Sequence, residues 1–235
     1  MTNEAPGMQA LALVQPPRIS RFLVAAPLLV IVGFSAAATA VGADAVLEKS
    51  ADPQRAAELT RQALVLLEQG EDAQAEADKM AAYKEGERLA RDALLLDDNN
   101  ADAHFALFAT YGRQQVLEGR VNPFSLLEVN RSLDRCLELN PDHSDALAAR
   151  GGMYRQLPTL LGGSLRKAER DLQRSIELDP QATGARIELA RTYHELGEDE
   201  KVKPLLEQAL LWAEKLNKPR RVREAQQAMA ELSVP

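Results

Sequence analysis

From residue 50 onward the apolar positions recur three and four residues apart almost without a break, the spacing of amphipathic helices. Helical runs are punctuated by three related phrases: LELNP at 137–141, IELDP at 176–180 and a degenerate LLLDD at 94–98. Each is followed by a fresh run with small residues near its start: ADAHFALFATYG, SDALAARGGMYR and TGARIELARTYHELG. This alternation predicts stacked pairs of antiparallel helices. Pro141 and Pro180 mark the ends, because proline cannot continue the hydrogen-bond ladder. The last run, 219–233, places Val222, Ala225, Met229 and Leu232 on one stripe and leaves Arg220, Arg221, Arg223, Glu224 and Glu231 for water. A single helix pair leaves an apolar face open, so such pairs stack, and a terminal helix caps the stack.

At defined positions these runs resemble the tetratricopeptide repeat (TPR) superfamily, whose period is about 34 residues. The unit 183–216 matches without gaps, with Leu189, Ala190 and Tyr193 in its first helix, Gly197 at the turn and Val202, Leu206 and Ala209 in its second. The unit 144–180 carries Gly151, Tyr154, Ala168, Leu172, Ser175 and Pro180, with five extra residues after Tyr154. The unit 101–141 carries Leu107, Tyr111, Val129, Leu133, Cys136 and Pro141, with nine extra residues between its helices. Phe108 stands there at a normally small position. A weaker unit, 54–98, offers Gly86, Ala90 and Ala93, with Asp98 in place of the proline. The expected fold is therefore all-α: an α-solenoid of about three full TPR units, a degenerate N-terminal unit and a C-terminal capping helix.

The insertions depart from the regular repeat. In QQVLEGRVNPFSLLEV the helix is expected to reach about Glu118, Gly119 to end it, Asn122-Pro123 to turn the chain, and Ser125 with Glu128 to form a capping box. In LPTLLGGSLRKAERDL the leucines form an apolar loop, Gly162-Gly163 turns, and Ser164 caps helix 165–178. A nucleotide-binding loop would need a preceding strand and GxxxxGK[ST] spacing, and both are absent. This stretch also resembles the periplasmic TPR proteins that accompany TRAP-type solute transporters. That resemblance implies an accessory protein binding a small ligand or a solute-binding protein.

Residues 22–43 carry no charge and follow Arg18 and Arg21, a length that can cross a hydrocarbon core about 30 Å thick. Val41-Gly42-Ala43 also suits signal cleavage before Asp44. Residues 1–46 are thus a signal peptide or a membrane anchor, and 47–235 the repeat domain. Both readings place the repeats outside the cytoplasm, in the periplasm or anchored to the inner membrane.

Charge and chemistry narrow the function. A net charge of −7 with 4% aromatic residues disfavours nucleic acid. The single cysteine, Cys136, cannot make an internal disulfide or a cysteine zinc cluster, and fits a buried packing position. The histidines, His104, His143 and His194, have no metal-ligand spacing. His143, in the turn after Pro141, is expected in solvent. No catalytic group emerges, so the expectation is a non-enzymatic protein-binding scaffold without cofactor or metal. The TPR resemblance implies a groove lined by first helices. Carried onto this chain, its positions are Asp102, Phe105 and Arg113; Asp145, Arg155 and Gln156; and Ile187, Glu188, Arg191, His194 and Glu195. Arg113, Arg155 and Arg191 then form either a cationic strip for an acidic or C-terminal peptide of a partner, or internal pairs with nearby carboxylates.

Overall fold

The computed structural model describes residues 52–119 and 123–232, residues 123–128 by backbone alone. The apolar N-terminal run lies outside the described residues, and α4 already begins at Pro123, so Ser125 falls inside its first turn and not at the N-cap expected of a Ser125/Glu128 capping box. Among those described, the elements are α1 (Pro53–Asp72), α2 (Glu76–Leu96), α3 (Ala101–Glu118), α4 (Pro123–Leu139), α5 (Ser144–Gln156), α6 (Leu165–Leu178), α7 (Thr183–Leu196), α8 (Val202–Lys215) and α9 (Pro219–Glu231). Short 3-10 turns precede α6 and α8. Each odd-numbered helix up to α7 packs on the even-numbered helix after it, α8 packs on α9, and the pairs stack in chain order. The fold is an all-α solenoid of the tetratricopeptide kind, with α9 as its cap.

Side-chain size explains the spacing within pairs. A Cβ on Gly151 would lie 2.6 Å from Leu172 Cγ and 3.2 Å from the Ala168 carbonyl, so only glycine lets α5 and α6 approach this closely. Around them Leu172, Leu206, Ala190 and Ala209 are fully enclosed. At the apolar insertion, Gly162 adopts φ +94°. A Cβ on Gly163 would collide with the Leu157 carbonyl. The loop is held by Gly163 and Leu161 N–H groups donating to the Pro158 carbonyl, and by Ser164 N–H donating to the Tyr154 carbonyl at 2.8 Å. Ser164 Oγ then accepts from Lys167 N–H, opening α6. Gly119, at φ +60°, ends α3.

Three apolar clusters fill the stack. One joins α1, α2 and α3 through residues such as Ala63, Ala90 and Leu107. Another joins α5 to α9 around Leu172, Leu189, Leu206 and Ala225. The third is a seam where α3 and α4 meet α5: Phe105, Leu133, Cys136, Leu137, Ala146 and Leu147, with Leu64 of α1 against it. Among the first helices α1 packs on α3, α5 on α7 and α7 on α9, whereas α3 and α5 pack less along their lengths. The two halves of the stack therefore meet mainly through this seam.

His143 belongs to the seam, contrary to the expectation of a solvated turn residue. Its side chain is 10% exposed, its ring centroid lies 4.8 Å from that of Phe105, and its Nε2 lies 3.2 Å from Asp102 Oδ1. Its Nδ1 accepts the Ala146 N–H at 3.2 Å and so caps α5. Burial opposes a charge on this ring, while Asp102 and Cys136 favour one, with the balance above the usual imidazole range. The cap requires the opposite, a bare Nδ1. We assign the neutral ring with its proton on Nε2 toward Asp102, because a proton on Nδ1 would face the Ala146 N–H head on.

Candidate functional site

The first helices bring the predicted groove residues together only in part. Phe105 is not in a groove: it is 9% exposed and packs in the seam. Ile187, at 2%, is core to the C-terminal half. Both occupy positions where a side chain long enough to reach the neighbouring helix is drawn into apolar contact. Gln156 is exposed at the end of α5. His194 is exposed in the last turn of α7, with Nδ1 2.7 Å from Asp199 Oδ1.

The three arginines are all paired with carboxylates, in two separate clusters. Arg155 Nε donates to Glu188 Oε2 at 3.0 Å, and its Nη1 to Glu195 Oε1 at 2.7 Å. Arg191 donates to Glu188 Oε1 at 3.0 Å and to Glu231 Oε2 at 3.3 Å. Glu188 thus links two guanidiniums, and the chain of pairs runs from α5 through α7 to α9. Arg155 is the most enclosed, 15% exposed. Burial opposes its charge, and Glu188 and Glu195 more than compensate, so its pKa lies above the usual guanidinium value. Internal pairing, rather than a bare cationic strip, is the arrangement along α5 and α7.

Arg113 belongs to a different cluster, one that sequence reasoning missed. Its Nη2 lies 2.5 Å from Glu71 Oε1, at the C-terminal end of α1. The other oxygen of Glu71 lies 2.5 Å from Arg220 Nη1 and 3.8 Å from Arg221 Nη2, both in the first turn of α9. Glu224 holds the same two arginines at 2.8 Å each. Beside them Lys218 Nζ donates to Glu68 at 3.0 Å, joining residues 150 apart in sequence. The end of the stack therefore returns to its beginning through ions. Burial pushes the Glu71 pKa up, but Arg113, Arg220 and Arg221 outweigh it and the net shift is down. Tyr83 lies beneath Gly70, where a Cβ would come 2.5 Å from the ring. The fit keeps the end of α1 close over α2.

Asp145, predicted for the groove, opens α5 near these cations. Its side chain reaches water, yet the surrounding protein raises its pKa, chiefly by burial, against the pull of Arg221 and Lys218. Arg221 also covers Gly184 of α7, whose absent Cβ would lie 3.1 Å from Nη1. Residues from α1, α3, α5, α7 and α9 thus converge on the start of α9. Among the described residues no group of three or more His, Cys, Asp or Glu side chains has metal-binding geometry.

One sequence signal points to the missed cluster. Glu71 and Asp72 end α1 at the negative pole of its dipole, and Arg220 and Arg221 begin α9 at the positive pole of its own. Each set is unfavourable on its own helix and favourable toward the other. Paired anti-dipole ends of this kind mark a long-range ionic contact.

The described chain is thus a TPR-type solenoid in which the start of the capping helix is ion-paired with the end of the first helix. No family model matches the chain, and no curated protein matches it. Among solved structures it is similar to TTC0263, a thermophilic TPR protein of Thermus thermophilus, at 19% identity over 77% of this chain and 90% of that one, with a TM-score of 0.46. It is also similar to MamA, at 18% identity over 71% of this chain and 89% of that one, TM-score 0.40. A third likeness is the first TPR of Spaghetti (RPAP3) bound to the HSP90 peptide SRMEEVD, at 21% identity over 59% of this chain and 95% of that one, TM-score 0.38.

Proposed function

We propose that this protein is an exported, non-catalytic scaffold whose inner face binds a protein partner through an acidic or C-terminal segment. The observation that carries the reading is the run of arginines on successive first helices, Arg113, Arg155 and Arg191, each engaging carboxylates through its planar fork. An acidic segment binds such a surface by exchange, taking the place of a carboxylate the chain supplies itself. The uncharged run 22–43 supports export, and its fate decides between a free periplasmic domain and an anchored one.

Binding of a fluorescein-labelled, acetylated hexaglutamate to the purified full chain tests the partner chemistry. Saturable binding that weakens as salt rises is the expected result. No binding at low salt removes the acidic-partner reading. N-terminal sequencing of protein recovered from envelope fractions tests export; an intact N-terminus in soluble cytoplasm contradicts it. A second reading, an accessory contact for a solute-binding protein as in TRAP-type systems, is favoured by one observation. Leu160 and Leu161, at 95% and 67% exposure, stand out on a loop that hydrogen bonds hold in place.

A further inference from the structure

Several features outside the arginine run carry less. The Cys136–His143–Asp102 constellation opens to water only at Asp102 and has a thiol with no exposure at all, so no substrate reaches the sulfur. The leucine tip at 160–161 has nothing beside it that selects an occupant. The cluster at the junction of α1 and α9 carries more.

Glu71 receives more cationic charge than a structural pair needs. Some surface pairs are local, such as Arg88 with Glu85 and Asp92 or Arg61 with Glu58, three or four residues apart on one helix, and others join neighbouring elements, such as Arg150 with Asp171 or Arg174 with Asp142. Glu71 instead gathers three guanidiniums from two other helices, 42 to 150 residues away. Like charges brought this close repel, and without an anion between them Arg220 and Arg221 would keep Glu224 while Arg113 would lose the carboxylate it is paired with. The three arginines therefore make a site that demands a carboxylate.

Glu71 is also a replaceable occupant. It lies one residue before the end of α1, at the helix pole that disfavours an anion. The side chains of Arg113 and Arg221 are 44% and 29% exposed, so the site opens to water on their side, while Glu71 and Arg220 are largely enclosed. Among the described residues, none of the three apolar clusters contains residues of both α1 and α9. Exchanging one carboxylate for another there costs no apolar burial. The neighbouring Lys218–Glu68 pair is exposed on both sides, and such pairs contribute about 0–1 kcal/mol.

We propose that Arg113, Arg220 and Arg221 form a carboxylate-binding cradle in which Glu71 stands in for the acidic side chain or C-terminus of a partner, and that the partner enters by displacing Glu71. Displacement also releases α1 from α9 and opens the inner face. This rests on the acidic-partner reading above and assigns it a site, at the clasp rather than at the Arg155–Glu188–Arg191 chain.

The test is hexaglutamate anisotropy on the full chain and its variants. Glu71→Gln removes the competing charge and keeps the side-chain shape, so it tightens binding by about tenfold, an intramolecular competitor worth about 1.4 kcal/mol. Arg113→Ala/Arg220→Ala weakens binding by about tenfold or more. Arg113→Gln covers the case in which the double variant does not fold, since nearly half of that side chain is exposed, and it too weakens binding. Arg155→Ala/Arg191→Ala changes binding less than the cradle variants do. If the wild type binds while Glu71→Gln and the Arg113 variants bind equally well, the cradle is overturned and the acidic-partner reading stands. If no form binds, both fall. Looser binding by Glu71→Gln, with its thermal melt intact, also overturns the cradle.

Discussion

The two places where the halves of this solenoid meet are built on opposite principles. At the seam, α3 and α4 meet α5 through Phe105, Leu133, Cys136, Leu137, Ala146 and Leu147, a contact between neighbours in sequence made of apolar surface. At the clasp, α1 meets α9 across most of the chain through Glu68, Glu71, Arg113, Lys218, Arg220 and Arg221. Apolar contact cannot be exchanged for solvent without loss, whereas an ion pair can be exchanged for another ion. A ring joined by one apolar seam and one ionic clasp opens at the clasp.

The largest expected effect belongs to the seam. Leu133 is 1% exposed, and Leu133→Ala should cost about 2–5 kcal/mol, read from denaturant unfolding, with little dependence on salt. A loss below 0.5 kcal/mol, roughly the scale of surface substitutions, would mean that the seam does not hold the halves together. Next is Glu71→Gln, which removes a largely enclosed charge partner and should cost about 1.5–3 kcal/mol at low salt. Its cost should shrink as salt rises, because the arginines it leaves behind are partly open to screening counterions. A cost that ignores salt would make the clasp a packing contact.

Acid should act on the clasp in the same sense. Glu71 and Glu224 both titrate below the usual carboxylate value of 4.5. Their contribution is therefore present above that value and is lost as pH falls through their depressed folded values. In Glu71→Gln this acid-sensitive part should be smaller; an identical pH profile would assign the sensitivity elsewhere. His143→Ala removes the cap of α5 and should cost about 1 kcal/mol. Lys218→Ala, in an exposed pair, should stay within about 0.5 kcal/mol. A larger loss there would extend the clasp beyond the Glu71 cradle.

Much of the fold was legible because it depends on side-chain size at short range. Gly151, Ala168, Ala190 and Val202 can be read as close contacts from the repeat alone, and the helix stops at Gly119 and Gly197 follow from backbone conformation. The site was less legible. Phe105 and Ile187 hold groove positions by register yet turn inward, since packing decides the orientation of large apolar side chains. Placing His143 in the solvated turn overlooked that an imidazole can cap the next helix and stack on Phe105 at once. The clasp depends on how the stack curves, which no local spacing encodes. Only the anti-dipole residues at the end of α1 and the start of α9 hint at it.

The central claim is that α1 and α9 are held by ions and released through Glu71. Spin labels at the exposed positions Gln69→Cys and Arg223→Cys report the separation directly, with the buried Cys136 left unlabelled. At low salt the account predicts one short, narrow distance for the wild type. Glu71→Gln in about 1 M salt, where screening reaches only about 3 Å, should give a longer and broader distribution. The same short distance in both would contradict it.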